Sequence, residues 1–276
     1  MSHQQNNLYR YSFVEHDVRG ELVQLTSSYQ RMLQGHEYPP VVQRLLGELM
    51  AATSLLTATL KFEGHISVQL QGDGPLNFIV VNGGHDQTLR GVARLRSEIA
   101  DSQQSLRALL GKGHMIITLT PDKGERYQGL VAADADDIAT VLEQYFEQSE
   151  QLHTRLWLHA DGENAAGMML QVMPAKGTDL TGFEHLEHLT ATITAGELFG
   201  LPGEQVLTRL YHEEQVELYP PQPVSFHCGC SREKTEEALA AVEPAELQQI
   251  LAEDGEIVMT CEYCLAEYKF TAPPQA

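Results

Sequence analysis

Cys228-Gly229-Cys230 and, thirty residues further on, Cys261-Glu262-Tyr263-Cys264 contain all four cysteines of the chain. Randomly scattered thiols would not fall in two tight pairs at one end. Two close pairs brought together across a loop are what a tetrahedral thiolate site for zinc requires, because each pair supplies one edge of the tetrahedron. Four thiolates also close the site: a catalytic zinc keeps one position for water or substrate, whereas a zinc held by four cysteines does not. The spacing therefore predicts one Zn2+ per chain on Cys228, Cys230, Cys261 and Cys264. Such a metal is a structural part, or a part meant to be removed.

Other readings of the same thiols remain open. Two ordinary disulfides would explain an even count, but they suit small secreted domains. Met1-Ser2-His3-Gln4-Gln5-Asn6-Asn7 is polar where the apolar stretch of a secretory signal would begin, so none is expected. A thioredoxin-like pair at Cys261 and Cys264 would need a strand leading into a helix. Instead Ile257-Val258-Met259-Thr260 leads in and Leu265-Ala266-Glu267-Tyr268-Lys269-Phe270 leads out, which reads as two strands around a knuckle.

Working outward, 276 residues suffice for one large domain and smaller ones. No apolar run approaches the ~18 residues of a membrane span. With 38 acidic against 18 basic residues the formal charge is −20. That excess argues against nucleic acid and anionic membrane surfaces, since neutralising phosphates takes clustered Lys and Arg.

From the N-terminus, Tyr9-Arg10-Tyr11-Ser12-Phe13-Val14 reads as extended, and Leu22-Val23-Gln24-Leu25-Thr26 as a second strand or a helix start. After Pro39-Pro40, apolar residues recur at helical spacing through Val42, Leu45, Leu46, Leu49, Leu56 and Leu60, predicting a core helix over 41–60. Three hairpins follow. The first runs from Ile66 through the turn Gly72-Asp73-Gly74-Pro75 to Val81. The second joins a strand over 114–121 to one over 127–131. The third joins strands over 156–160 and 168–173. Gly72-Asp73-Gly74 and Gly111-Lys112-Gly113 precede strands rather than helices, so they are turns and not phosphate loops. A helix capped at Asp134 or Asp136 is expected through Ile138, Val141, Leu142, Tyr145 and Phe146. Hairpins alternating with a few helices predict an α+β domain with antiparallel sheet, closed by Pro174-Ala175-Lys176-Gly177.

Residues 178–219 carry eight acidic residues and one arginine, Arg209, with amphipathic pieces around 186–193, 196–199 and 205–210. Short helices in so charged a segment are marginal alone, so they must dock or come loose. Tyr219-Pro220-Pro221-Gln222-Pro223 reads as a stiff connector into the cysteine module. There Ser231 caps a helix to about Val242, and Glu243-Pro244 starts another to about Glu253. The expected division is a core domain over 1–177, a helical linker over 178–223 and a zinc-binding domain over 224–276.

The twelve histidines form no triad spacing with serine and acid. His16 with Asp17, and His185 with His188, read as surface histidines rather than acid–base or metal groups. His227 stands beside Cys228, but four thiolates leave it unneeded.

The two cysteine pairs, the acidic segment containing Tyr211-His212-Glu213-Glu214, and the turn Gly72-Asp73-Gly74-Pro75-Leu76 together resemble the bacterial redox-regulated heat-shock chaperone family of 33 kilodaltons. The resemblance spans essentially the whole chain. It implies a cytoplasmic, ATP-independent holdase of the stress response, not an enzyme, whose reduced zinc-loaded form is inactive. Oxidation would join Cys228 to Cys230 and Cys261 to Cys264, eject zinc, unfold the zinc domain and loosen the linker. Unfolded client proteins would then bind the exposed apolar surface, and the oxidised form would tend to dimerise. The competing expectations are a zinc-ribbon nucleic-acid-binding protein and an enzyme with a purely structural zinc. The ten acidic and three basic residues of 231–276 oppose the first.

Overall fold

Hydrophobic alternation along three adjacent strands settles the architecture. The computed structural model describes residues 6–100, 102–173 and 180–273, which divide into two compact units, Met1–Phe226 and His227–Ala276. In the first unit the chain runs β1 (Asn6–Phe13), β2 (Val18–Leu25), α1 (Ser27–Leu33), α2 (Pro40–Thr57), β3 (Gly64–Gly72), β4 (Leu76–Gly84), β5 (Thr88–Leu95), α3 (Leu106–Leu110), β6 (Gly113–Pro121) and β7 (Tyr127–Ala132). Helix α4 (Ile138–Tyr145) passes into one π-helical turn, Phe146–Glu150, followed by β8 (Thr154–Ala160) and β9 (Ala165–Val172). Helices α5 (Thr181–Thr190), α6 (Ala195–Gly200) and α7 (Gly203–Leu210) then lead to three short strands, β10 (Val216–Leu218), β11 (Gln222–Pro223) and β12 (Ser225–Phe226). This is the expected α+β fold. The proposed closure at Pro174-Ala175-Lys176-Gly177 lies outside the described residues.

One sheet has the order β10-β1-β2-β9-β8, with β11 also on β1; the other is β12-β5-β4-β3-β6-β7. All three expected hairpins are antiparallel pairs in these sheets. Between the sheets lies α2, which Pro40 opens at its first position and whose Val42, Leu45, Leu46 and Leu49 are buried.

Strand side chains alternate between faces, and the first sheet uses both. Leu8, Val23, Leu25, Ala165 and Met169 point to α2 and the main core. Tyr9, Tyr11, Phe13, Leu22, Met168 and Leu170 point the other way, onto a second apolar cluster. The acidic helices α5, α6 and α7 close that cluster with Phe183, Leu186, Leu198, Val206, Leu207 and Tyr211. The segment expected to dock or come loose is docked.

Polar anchors fix it. The buried Gln24 amide donates to the carbonyls of Leu198 (2.6 Å) and Leu201 (2.8 Å). The Tyr211 hydroxyl lies 2.5 Å from Thr190 Oγ1 and 3.5 Å from Tyr11 Oη, and burial pushes it up to about 12. Arg155 of β8 holds Glu187 of α5 at 2.7 Å. Thr194 and Glu197 form a capping box at α6. At Gly203 the helix backbone approaches Tyr9 so closely that a Cβ would sit 2.4 Å from the ring.

Two expectations change. The cap of α4 is Asp137, whose carboxylate accepts from Thr140 N, while Asp134 and Asp136 face Arg107 at 3.2 and 3.9 Å. The residues read as a connector are not free chain either. Strands β10 and β11 pair antiparallel with β1, and β12 pairs parallel with β5, so 216–226 straps one sheet to the other. Pro220 and Pro221 fall between two pairings on an edge, where a missing N–H costs no ladder bond.

Candidate metal centre

In the second unit, Ser231 Oγ accepts from Lys234 N and starts α8 (Arg232–Leu239), as the sequence led us to expect. Helix α9 (Pro244–Asp254) begins with proline and stops at Gly255, whose φ of +79° suits a residue without a Cβ. A two-stranded sheet, β13 (Ile257–Thr260) with β14 (Glu267–Phe270), completes the unit. Among the described residues its buried apolar side chains are Leu239, Leu247, Ile257 and Phe270. So small a core gives little stability by itself.

Between β13 and β14 the chain turns in a knuckle. Cys261 N donates to Ala266 O at 2.9 Å, and Leu265 N donates to Cys261 O at 2.8 Å. Leu265 adopts φ +58°, a left-handed conformation uncommon outside glycine. The knuckle turns Cys261 and Cys264 toward Cys228 and Cys230. The four Sγ atoms all lie within 4.8 Å of one another, the one such ligand group among the described residues. Cys228 and Cys261 approach to 3.6 Å and Cys230 and Cys264 to 3.4 Å. A tetrahedron of thiolates about 2.3 Å from zinc has edges of about 3.8 Å, so the donor set and its spacing fit that ion.

Tyr268 of β14 donates its hydroxyl to Cys230 Sγ at 3.2 Å. That bond favours the thiolate and draws Cys230 down to about 7, whereas burial pushes Cys228 up and Cys264 up to about 12. Sequence reasoning missed Tyr268. Its spacing from Cys264 carries a signal only once the hairpin register is known. His227 is not among the clustered ligands.

The histidines read as separate surface groups are partly brought together. His185 Nε2 lies 2.8 Å and His16 Nε2 3.5 Å from the carboxylate of Glu214. His188 instead faces the carbonyl of Glu184.

A family model described as Hsp33 protein matches residues 6–271. The chain belongs to the Hsp33 family. It is 59% identical over 265 residues to the 33 kDa chaperonin of Shewanella sediminis, covering 96% of this chain and 92% of that one. Against the 33 kDa chaperonin of Shewanella oneidensis it is 58% identical over 268 residues, covering 97% and 93%. The crystal structure of a 33 kDa chaperonin from Thermotoga maritima superposes with a TM-score of 0.83 at 19% identity, over 98% of this chain and 96% of that chain, and so shares the fold. As an Hsp33 member the protein is a redox-regulated chaperone, the function its sequence led us to expect. No helix among the described residues is long and apolar enough to cross a membrane.

Proposed function

We propose that this Hsp33 protein is an ATP-independent holdase whose switch is the four-thiolate site. Cys228, Cys230, Cys261 and Cys264 hold one Zn2+ per chain in the reduced form. The observation that carries the reading is the convergence of the four thiols on a unit with four buried apolar side chains among its described residues. Bound zinc would supply that unit with folding free energy, roughly 10–16 kcal/mol in zinc-finger peptides.

Oxidation converts four thiolates to two disulfides. Each pair gives two electrons to an oxidant such as hypochlorite or peroxide, and the metal loses its ligands. Following the family resemblance, the bonds are Cys228–Cys230 and Cys261–Cys264. Proximity does not choose them, since Sγ atoms of different pairs approach to 3.6 and 3.4 Å and every edge of a tetrahedral site is alike. Loops this small stabilise at the low end of roughly 0–5 kcal/mol, so loss of metal dominates and the unit unfolds.

On this reading the core domain spans 1–177, the linker 178–223 and the zinc domain 224–276. Loosening of α5, α6 and α7 uncovers Tyr9, Tyr11, Phe13, Leu22, Met168 and Leu170, an apolar face suited to unfolded client proteins. The oxidised form dimerises through newly exposed surface. A thiol sensor of this kind works in the reducing cytoplasm. The role is binding rather than turnover, and the acidic zinc domain is unsuited to nucleic acid or anionic membranes.

The test follows zinc release with a chromogenic chelator and client light scattering together during oxidation. About one zinc per chain should leave as aggregation is suppressed, and reductant should reverse both. Zinc that leaves without any gain of holdase activity would reduce the cysteines to structural ligands.

A further inference from the structure

A cavity of about 720 Å3 opens between the two sheets of the first unit at the C-terminal end of α2. Its volume is typical of small-molecule sites, roughly 300–1,000 Å3. Leu56, Ile66, Ile117, Tyr145 and Phe146 form an apolar wall in which each side chain is buried. The π-helical turn delivers Phe146 to that wall, and Gln151, at φ +54°, ends the turn and brings Leu152 to it. Departures of this kind from α-helix recur at binding sites.

Arg19 of β2 supplies a fixed cation. Its Nη2 donates to Gln171 Oε1 at 2.5 Å, and Gln171, itself buried, donates onward to Thr154 Oγ1 at 2.8 Å. The guanidinium carries five N–H donors, and the only carboxylate beside it among the described residues is Glu21, at 3.9 Å from Nε. The Arg19 side chain is 28% exposed. Lys61, also on the lining, is exposed and has no ion pair among the described residues. Against these two cations stands Glu150, whose carboxylate accepts from Tyr145 Oη. In a chain of formal charge −20, a cavity with an apolar interior and an excess of cations selects one kind of occupant.

We propose that this cavity binds a free long-chain fatty carboxylate, with the hydrocarbon against Leu56, Ile117 and Phe146 and the carboxylate on the Arg19 guanidinium. The site lies in the first unit. It belongs to the reduced protein, in which the linker helices are docked.

Dodecanoate titrated calorimetrically into the reduced, zinc-loaded full chain, below its micellar concentration, tests this. One equivalent should bind. Arg19→Gln, which removes the charge, should weaken it about tenfold, as should dodecanol offered in place of dodecanoate. Leu152→Trp, which fills the cavity from its rim, should abolish binding while zinc content and the oxidation-triggered holdase activity stay unchanged. Absence of binding to the reduced protein overturns the proposal. So does binding that survives both substitutions, or binding that appears only after oxidation, which would place the hydrocarbon on the client surface instead.

Discussion

Tyr268 shows how a single side chain bears on the four-thiol cluster. The Tyr268 hydroxyl donates to the sulfur of Cys230. Such outer partners change metal affinity by roughly 10–100-fold. Tyr268→Phe should therefore release zinc to a competing chelator at about tenfold lower chelator concentration, with the helices of the unit still formed while metal is bound. Unchanged retention would show that the bond is incidental. Burial has a different consequence in the first unit, where the Glu21 and Glu48 carboxyls are both pushed up from 4.5 to about 7. Arg19 and Arg44 beside them offset part of that cost. Because the folded form binds these protons more tightly than the unfolded form, the stability they contribute is fully present below about pH 4.5. It is lost as pH rises through about 7. Glu21→Gln removes the ionisation, so the variant should gain on the wild type by a few kcal/mol as pH climbs from 5 to 8 in denaturant titrations. A difference that does not grow with pH would contradict this.

At the scale of elements, what could be read from sequence was what is local. Prolines mark the start of α2 and α9, Gly-Asp-Gly-Pro marks a hairpin, and paired cysteines mark the knuckle. Strand β5 was missed because Arg90, Gly91 and Arg94 interrupt its pattern, and its pairing with β4 and β12 decides it. The partners of 216–223 lie some two hundred residues earlier on β1, and no local signal announces such a pairing. The clustering of the four cysteines was legible because the chemistry of a thiolate site fixes their spacing. The histidines around Glu214 were not, because three separate segments meet there. Docking of α7 is tested most directly at Gly203. A side chain there must displace the Tyr9 ring, so Gly203→Val should speed amide exchange across α6 and α7 and lower the oxidant needed for holdase activity. If exchange is unchanged, the ring moves aside at no cost and the close approach is not an anchor.

For the whole molecule, the two units differ in what holds them. The first has a core that runs through two sheets and α2, while the second has, among its described residues, four buried apolar side chains and the cluster of four thiols. Chelation of zinc under reducing conditions should therefore erase amide protection in α8, α9 and β13 while β2, β3, β4 and β9 keep theirs. Simultaneous loss in both units would mean that they fold as one cooperative body.

The strap over 216–226 and the helices before it also impose an order on biosynthesis. Strand β1 leaves the ribosome well ahead of its outer edge partners and of the cover over Tyr9, Tyr11 and Phe13, which come from residues 181–223. At roughly 5–20 residues per second, translation separates the two by about 10–40 s. For that interval every newborn copy carries Tyr9, Tyr11 and Phe13 without their cover. A chain stalled near residue 175 should accordingly crosslink to other chaperones through that face, and one stalled beyond residue 260 should not.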